Sequence, residues 1–168
     1  MENMNKDGLE IERKFLIEYP DIDFLLSLSG CAVMKISQSY LEDRSRIRKI
    51  EQDGKTYYIR TVKQKITEVT RKEREWQISE EEYFALLKTK QKDTVTVNKI
   101  RYAVKTDGFV YEIDVFDFLN DKAFLEIELK DEKEDIVMPS FIKVIKEVTF
   151  DSKYKNYSLA KGSFKDIV

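Results

Sequence analysis

The chain has 168 residues, enough to bury a substantial core in one domain spanning 1–168, and its 30 Lys and Arg nearly balance 32 Asp and Glu. That balance leaves no bulk charge to draw it to nucleic acid or a membrane surface. With no histidine and one cysteine, imidazole metal ligands, His-based triads, an internal disulfide and a thiolate zinc site are excluded. No apolar run approaches a membrane span and the N-terminus lacks a signal-peptide core, so a cytoplasmic protein, monomer or homodimer, is expected.

The first extended stretch, about Leu9 to Ile17, sets Glu10, Glu12 and Lys14 on one face and Ile11, Phe15 and Ile17 on the other, because successive side chains of a strand point in opposite directions. Pro20, at the first helical position, opens a short helix with Ile22, Phe24, Leu25 and Leu28 that Gly30 ends; Cys31 just beyond it reads as a packing residue. Strands follow from about Val33 to Leu41 and Ser45 to Ile50, with a polar turn at Glu42-Asp43. Asp53-Gly54 signals a hairpin into Thr56 to Lys63, and another strand covers about Thr70 to Ile78. Ser79-Glu80-Glu81-Glu82 is a capping box that starts a helix with Tyr83, Phe84, Leu86 and Leu87 as its apolar side. Two strands, about Thr94 to Val104 and Phe109 to Phe116, meet at Asp107-Gly108, and a further one covers about Ala123 to Lys130. Pro139 breaks the chain before a short segment near Val144 to Phe150, and a polar helix over about Lys153 to Lys161 ends it. Eight principal strands joined mostly by tight turns imply antiparallel pairing and invite closure: a mainly β, α+β fold, a closed eight-stranded antiparallel barrel with short helices outside.

Read by parity, the strands carry charges in pairs. Arg46 and Arg48 share a face, as do Thr61 and Lys63, Arg71 with Glu73 and Glu75, Lys99 and Arg101, Glu112 and Asp114, and Glu126 and Glu128. Alternate positions are often apolar: Ile11, Ile47, Val62, Trp76, Ile113, Val115, Leu125, Ile127 and Leu129. An ordinary sheet with a solvated face gives the same alternation. Like charges two residues apart nevertheless repel unless an opposite charge sits between them. With that face inward, the barrel gathers carboxylates suited to Mg²⁺ or Mn²⁺ beside Arg and Lys suited to phosphate oxygens. Both classes together fit a metal-bound polyphosphate.

In this order and at this parity the residues resemble the triphosphate tunnel metalloenzymes, or CYTH superfamily, over nearly the whole chain. The signature Glu-x-Glu-x-Lys is matched by Glu10, Glu12 and Lys14, the second-strand motif by Gln38-Ser39-Tyr40-Leu41, Arg-x-Arg by Arg46 and Arg48, and Thr-x-Lys by Thr61 and Lys63. The acidic fifth strand, the basic sixth and the last two acidic pairs follow, and Asp151 to Ala160 looks like the family's C-terminal helix. The resemblance implies a tunnel that binds a small-molecule triphosphate and a divalent metal, Mg²⁺ or Mn²⁺. Members hydrolyse tripolyphosphate, thiamine triphosphate or nucleoside triphosphates, or cyclise ATP. It further implies that Arg46, Arg48, Lys63, Arg71, Lys99 and Arg101 grip the phosphates and that Glu10, Glu12, Glu126 and Glu128 hold a first metal. Glu73, Glu75, Glu112 and Asp114 complete the surroundings of a second metal or hold the attacking water, and Lys14 works with Tyr40. Lys153 stands where the family often has Arg; it keeps the charge of a lid contact to substrate but not the bidentate fork.

The expected activity is metal-dependent hydrolysis of a linear triphosphate, most simply inorganic tripolyphosphate. The alternatives are a class IV adenylate cyclase, for which no stretch supplies an adenine pocket, and a thiamine triphosphatase, whose ring Trp76 or a tyrosine would stack. A polyphosphate- or nucleotide-binding module without turnover is a further alternative. It predicts damaged acidic pairs, and here all are intact.

Overall fold

Alternating sequence becomes a ring of strands. The computed structural model describes residues 9–67 and 69–167, with the side chains of Leu9 and Arg71 outside the described set. In chain order it contains β1 (Leu9–Glu18), α1 (Ile22–Ser27), β2 (Ala32–Tyr40), β3 (Arg46–Gln52), β4 (Lys55–Lys65), β5 (Thr70–Gln77) and α2 (Glu80–Leu87). Then come β6 (Val97–Thr106), β7 (Phe109–Phe116), β8 (Lys122–Leu129), β9 (Val144–Glu147) and α3 (Asn156–Ala160). Strand neighbours run β5-β4-β3-β2-β6-β7-β8-β1-β9, and β1 also pairs with β5 where Leu9, Glu10 and Ile11 lie opposite Lys72, Arg71 and Thr70. That short antiparallel ladder brings the ring of eight round on itself.

Two hairpins turn on the predicted dipeptides. Asp53 and Gly54 (φ 51° and 72°), like Asp107 and Gly108 (φ 53° and 80°), take successive positive φ, whose twist matches flanking strands and which glycine adopts without a Cβ clash. The Ser79 cap is in place: its hydroxyl accepts from the Glu82 N–H at 3.0 Å.

Three expectations are corrected. Asp21, not Pro20, opens α1, because its carboxylate accepts from the Phe24 N–H at 3.0 Å and helical residues begin at Ile22. Residues 144–147 form a ninth strand: β1 is paired with β5 only at its start, and β9 takes the edge left over at Phe15–Ile17. The C-terminal helix is split into a 3-10 turn over Ser152–Tyr154 and α3, because Lys155 between them is extended (φ −66°, ψ 143°).

Apolar residues pack on both sides of this wall. Outside, Phe15, Ile17, Tyr111, Ile113, Leu125 and Ile127 form a core under Leu25 of α1 and Ile142, and Ile47 and Ile78 pack against Tyr83 of α2. The inward row also turns apolar at one end. Leu16, Val97, Phe116 and Phe124 continue the parity of Lys14, Lys99, Asp114 and Glu126, and are buried beneath Tyr154, Leu159 and Ala160. Each fully buried side chain of that size contributes about 2 kcal/mol, so the C-terminal segment is bound firmly over this end.

Candidate active site

The strand order sorts the charges. Lys63 on β4, Arg46 and Arg48 on β3, and Lys99 and Arg101 on β6 occupy consecutive staves of the ring, β4-β3-β2-β6. Glu112 on β7, Glu126 and Glu128 on β8, Glu10 and Glu12 on β1, and Glu73 and Glu75 on β5 occupy the other half, whose strands also carry two of the predicted cations, Lys14 on β1 and Arg71 on β5. All of these side chains but that of Arg71, which lies outside the described set, line one cavity of about 1280 Å³. A basic wall thus faces an acidic one across a shared space.

Every cation of the basic wall has at least one carboxylate partner. Arg46 lies 3.6 Å from Glu73, Arg48 pairs with Glu75, and Lys63 Nζ is 2.9 Å from Glu73 and 3.3 Å from Glu10. Arg101 is held on several sides, with Nε 2.7 Å from Asp114 Oδ1, Nη2 2.8 Å from Glu126 and Nη1 2.5 Å from Glu112. Burial, with Arg46 and Arg101 close by, brings Arg48 down to about 10. Burial and Arg101 bring the Lys99 ammonium down to about 8 despite Asp114. The Nε–H groups of Arg46 and Arg48 are buried with no hydrogen-bond acceptor among the described residues. Buried donors without acceptors cost about 1–3 kcal/mol each, so this wall favours an anion rich in oxygen.

The acids fall into two groups. Although burial works the other way, Lys14, Lys99 and Arg101 hold Glu126 well below the usual carboxylate range, and Arg101 and Lys99 likewise hold Asp114 low. Glu10, Glu112 and Glu128 go the opposite way. Burial and a hydrogen bond with Glu73 push Glu10 up to about 8, while that bond, Lys63 and Arg46 hold Glu73 low against its own burial. Burial and the charges of Glu112, Glu12 and Glu73 push Glu128 up to about 7, and burial raises Glu112 despite Arg101. Glu12 lies directly opposite Glu128 in the β1–β8 register, and Glu112 opposite Glu126 in β7–β8. Among the described residues no three acids already stand at ligating spacing. The clustering and hard-oxygen chemistry of Glu10, Glu12, Glu112 and Glu128 nonetheless fit a divalent cation, which would relieve both burial and mutual repulsion.

Most residues singled out from sequence line the cavity: Glu10, Glu12, Lys14, Tyr40, Arg46, Arg48, Lys63, Glu73, Glu75, Lys99, Arg101, Glu112, Glu126 and Glu128. Asp114 does not. It is fully buried behind the wall, and both its oxygens accept from Arg101 while Lys99 donates to one of them, so it braces the cations and presents nothing to a metal. Lys153 also lies elsewhere, its ammonium 3.2 Å from the Asp166 carbonyl and 5.1 Å from the Tyr154 ring centroid. The extended Lys155 turns the chain so that Lys155, Asn156 and Tyr157 line the cavity instead, with Gln91, Glu42 and Arg44. Lys153-x-Lys155 in the sequence was the available hint. The side chain of Arg71 lies outside the described residues, its backbone opposite Glu10. Tyr40 is enclosed, and burial pushes its phenol up to about 12, which keeps it a hydrogen-bond donor at neutral pH. Trp76 touches the cavity edge, but the guanidinium carbons of Arg60 and Arg74 lie 5.7 and 5.2 Å from its ring centroid.

A family model of the CYTH domain matches residues 8–154. The chain belongs to the CYTH family. An inorganic triphosphatase of Acetivibrio thermocellus is 31% identical over 160 residues, which span 95% of this CYTH chain and 97% of that relative. The crystal structure of an inorganic triphosphatase superposes with a TM-score of 0.57 at 31% identity, covering 90% of this chain and 94% of that one. A Pyrococcus horikoshii OT3 protein at 18% identity and a TM-score of 0.52, covering 74% of this chain and 81% of its own, shares the fold.

Proposed function

We propose that this CYTH protein is a triphosphatase that hydrolyses a linear triphosphate, inorganic tripolyphosphate first, with Mg²⁺ or Mn²⁺ as cofactor. The observation that carries the reading is the division of one ring into a contiguous basic half and a contiguous acidic half. A polyanion alone would need only the first and a cation alone only the second; a metal-bound polyphosphate needs both. The resemblance in sequence to two inorganic triphosphatases supports the choice of substrate.

On this reading Arg46, Arg48, Lys63, Lys99 and Arg101 bind the phosphate oxygens and oppose the charge that spreads over the transferred phosphoryl group. Asp114 braces Arg101 and Lys99 so that little reorganisation is needed when that charge develops. Glu10, Glu12, Glu112 and Glu128 would hold the divalent cation, which supplies charge neutralisation at phosphoryl oxygens. Glu73 and Glu75, anchored by Arg46, Lys63, Arg48 and Thr61, orient the attacking water. Lys14 donates to oxygens at the end of the phosphate chain nearest α3. Attack by water on a terminal phosphorus breaks one phosphoanhydride bond and yields orthophosphate and pyrophosphate. Release of orthophosphate from tripolyphosphate with Mg²⁺ or Mn²⁺, abolished by EDTA and faster than from ATP or thiamine triphosphate, is the expected result. Cyclic AMP and pyrophosphate from ATP, with no phosphate from tripolyphosphate, would overturn the reading.

A further inference from the structure

Lys14 occupies the point where the inward row of β1 changes from charged to apolar, with Leu16 the next inward residue and fully buried under the C-terminal segment. Its ammonium lies 3.1 Å from Glu126 Oε1 and 4.7 Å from the centroid of the Phe124 ring, and it donates to Asn156 Oδ1 at 2.9 Å. The Asn156 Nδ2 group in turn donates to the same Glu126 Oε1 at 3.4 Å. This orientation of the amide is fixed by chemistry, since an ammonium only donates and a carboxylate only accepts. One amide therefore spans both members of a buried ion pair whose side chains are 8% and 6% exposed.

Asn156 reaches this pair from outside the barrel. It is the first residue of α3, and α3 has contacts of its own that do not involve the Lys14 side chain. The Val95 N–H donates to the Ala160 carbonyl at 2.8 Å, and the Tyr157 hydroxyl to Gln91 Oε1 at 2.8 Å. The Tyr157 ring meets Tyr40 edge-on at 5.1 Å, and Tyr154, Leu159 and Ala160 are buried. A four-carbon lysine stem has many rotamers, and a partner on a rigid element removes most of them.

We propose that Asn156 is a positioning residue: it holds the Lys14 ammonium beside Glu126 and aimed into the tunnel, so the C-terminal segment completes the active site. The claim rests on the reading of the tunnel as a triphosphatase. Losing the amide frees the Lys14 ammonium from one of its two fixed partners, and misplacement of a reacting group by about 1 Å costs on the order of 100-fold in rate.

The test is a double-mutant cycle on tripolyphosphate hydrolysis with wild type, Asn156→Ala, Lys14→Ala and the double variant, reading kcat and KM separately. Positioning predicts that Asn156→Ala lowers kcat by about 10- to 100-fold with KM changed by less than about threefold, and that the double variant is no slower than Lys14→Ala. If the double variant is slower by the product of the two single effects, Asn156 acts independently of Lys14 and the proposal fails. Should Asn156→Ala not fold, Asn156→Ser, which keeps a polar group at the helix start, is carried through the same cycle. A readout independent of turnover is the rate at which Lys14 is acetylated by acetic anhydride, followed by mass spectrometry. It should rise several-fold in the Asn156 variant, and an unchanged rate overturns the proposal. A wild type that releases no phosphate refutes the triphosphatase reading instead, and the acetylation rate alone then decides the role of Asn156.

Discussion

Asp114→Asn tests how the basic wall is built. The carboxylate is fully buried, and it accepts from Lys99 at 2.5 Å and from Arg101 at 2.7 and 2.8 Å. The substitution keeps the shape but removes the charge, and it sets an amide N–H₂ against at least one donor. Removing one partner of a buried ion pair costs about 3–5 kcal/mol. Arg101 retains Glu112 and Glu126, so the lower end applies, about 3 kcal/mol. For a chain of this length each kcal/mol moves the melting temperature by about 2–4 °C, which predicts a fall of roughly 6–12 °C. Lys99, already brought down to about 8 with Asp114 present, should lose its proton near neutral pH in the variant, and KM for tripolyphosphate should rise with it. Thermal unfolding followed by circular dichroism at pH 7, with phosphate release on the same samples, measures both. Adding Lys99→Met to Asp114→Asn removes one stranded cation and should recover part of the lost stability. A melting temperature within about 2 °C of wild type would refute the claim that Asp114 holds this wall together.

Other outcomes follow from the same geometry. Arg48→Ala should raise KM by about 10- to 100-fold, because a charge-assisted contact to a phosphate oxygen is worth roughly 1.5–3 kcal/mol; an unchanged KM would remove Arg48 from the substrate site. Glu12→Gln should abolish turnover while leaving a folded protein, as circular dichroism would show; retained activity would displace the proposed metal site. Tyr40→Phe should keep kcat within about tenfold, because a phenol pushed up to about 12 is a poor base; a loss near 1,000-fold would make Tyr40 a direct participant in proton transfer. For pH, Glu128 and Glu10 are raised in the folded state to about 7 and about 8. Their contribution to stability is full below the ordinary carboxylate pKa and is lost as pH rises through those values. Melting temperature without metal should therefore decline between about pH 5 and 8, and Mg²⁺ should flatten the decline because it binds the deprotonated acids. A profile that Mg²⁺ leaves unchanged would contradict the assignment.

Strand parity carried much of this site in one dimension. Because side chains alternate strictly, Glu10-x-Glu12-x-Lys14 and the later pairs could be assigned to one face without any coordinates, and the hairpins at Asp53-Gly54 and Asp107-Gly108 followed from turn chemistry. Which strands pair across the longer connections was not legible. The pairing of β2 with β6, and of β1 with both β8 and β5, separates the cations from the acids, and both depend on contacts between residues far apart in the chain. Parity also gives no depth. Asp114 shares its row with Glu112 but sits behind Arg101, and the charged rows end in Leu16, Phe116 and Phe124, where the C-terminal segment packs. The exchange of Lys153 for Lys155 has a similarly local cause, one extended residue between a 3-10 turn and a helix.

The central claim is that opposite walls of one tunnel hold a metal-bound triphosphate for hydrolysis. Its most direct test is ³¹P NMR of tripolyphosphate incubated with the protein and Mg²⁺ or Mn²⁺, with an EDTA control. The account predicts that the tripolyphosphate resonances give way to equal amounts of orthophosphate and pyrophosphate only when metal is present. Resonances that persist with metal, or that vanish equally in EDTA, would contradict it.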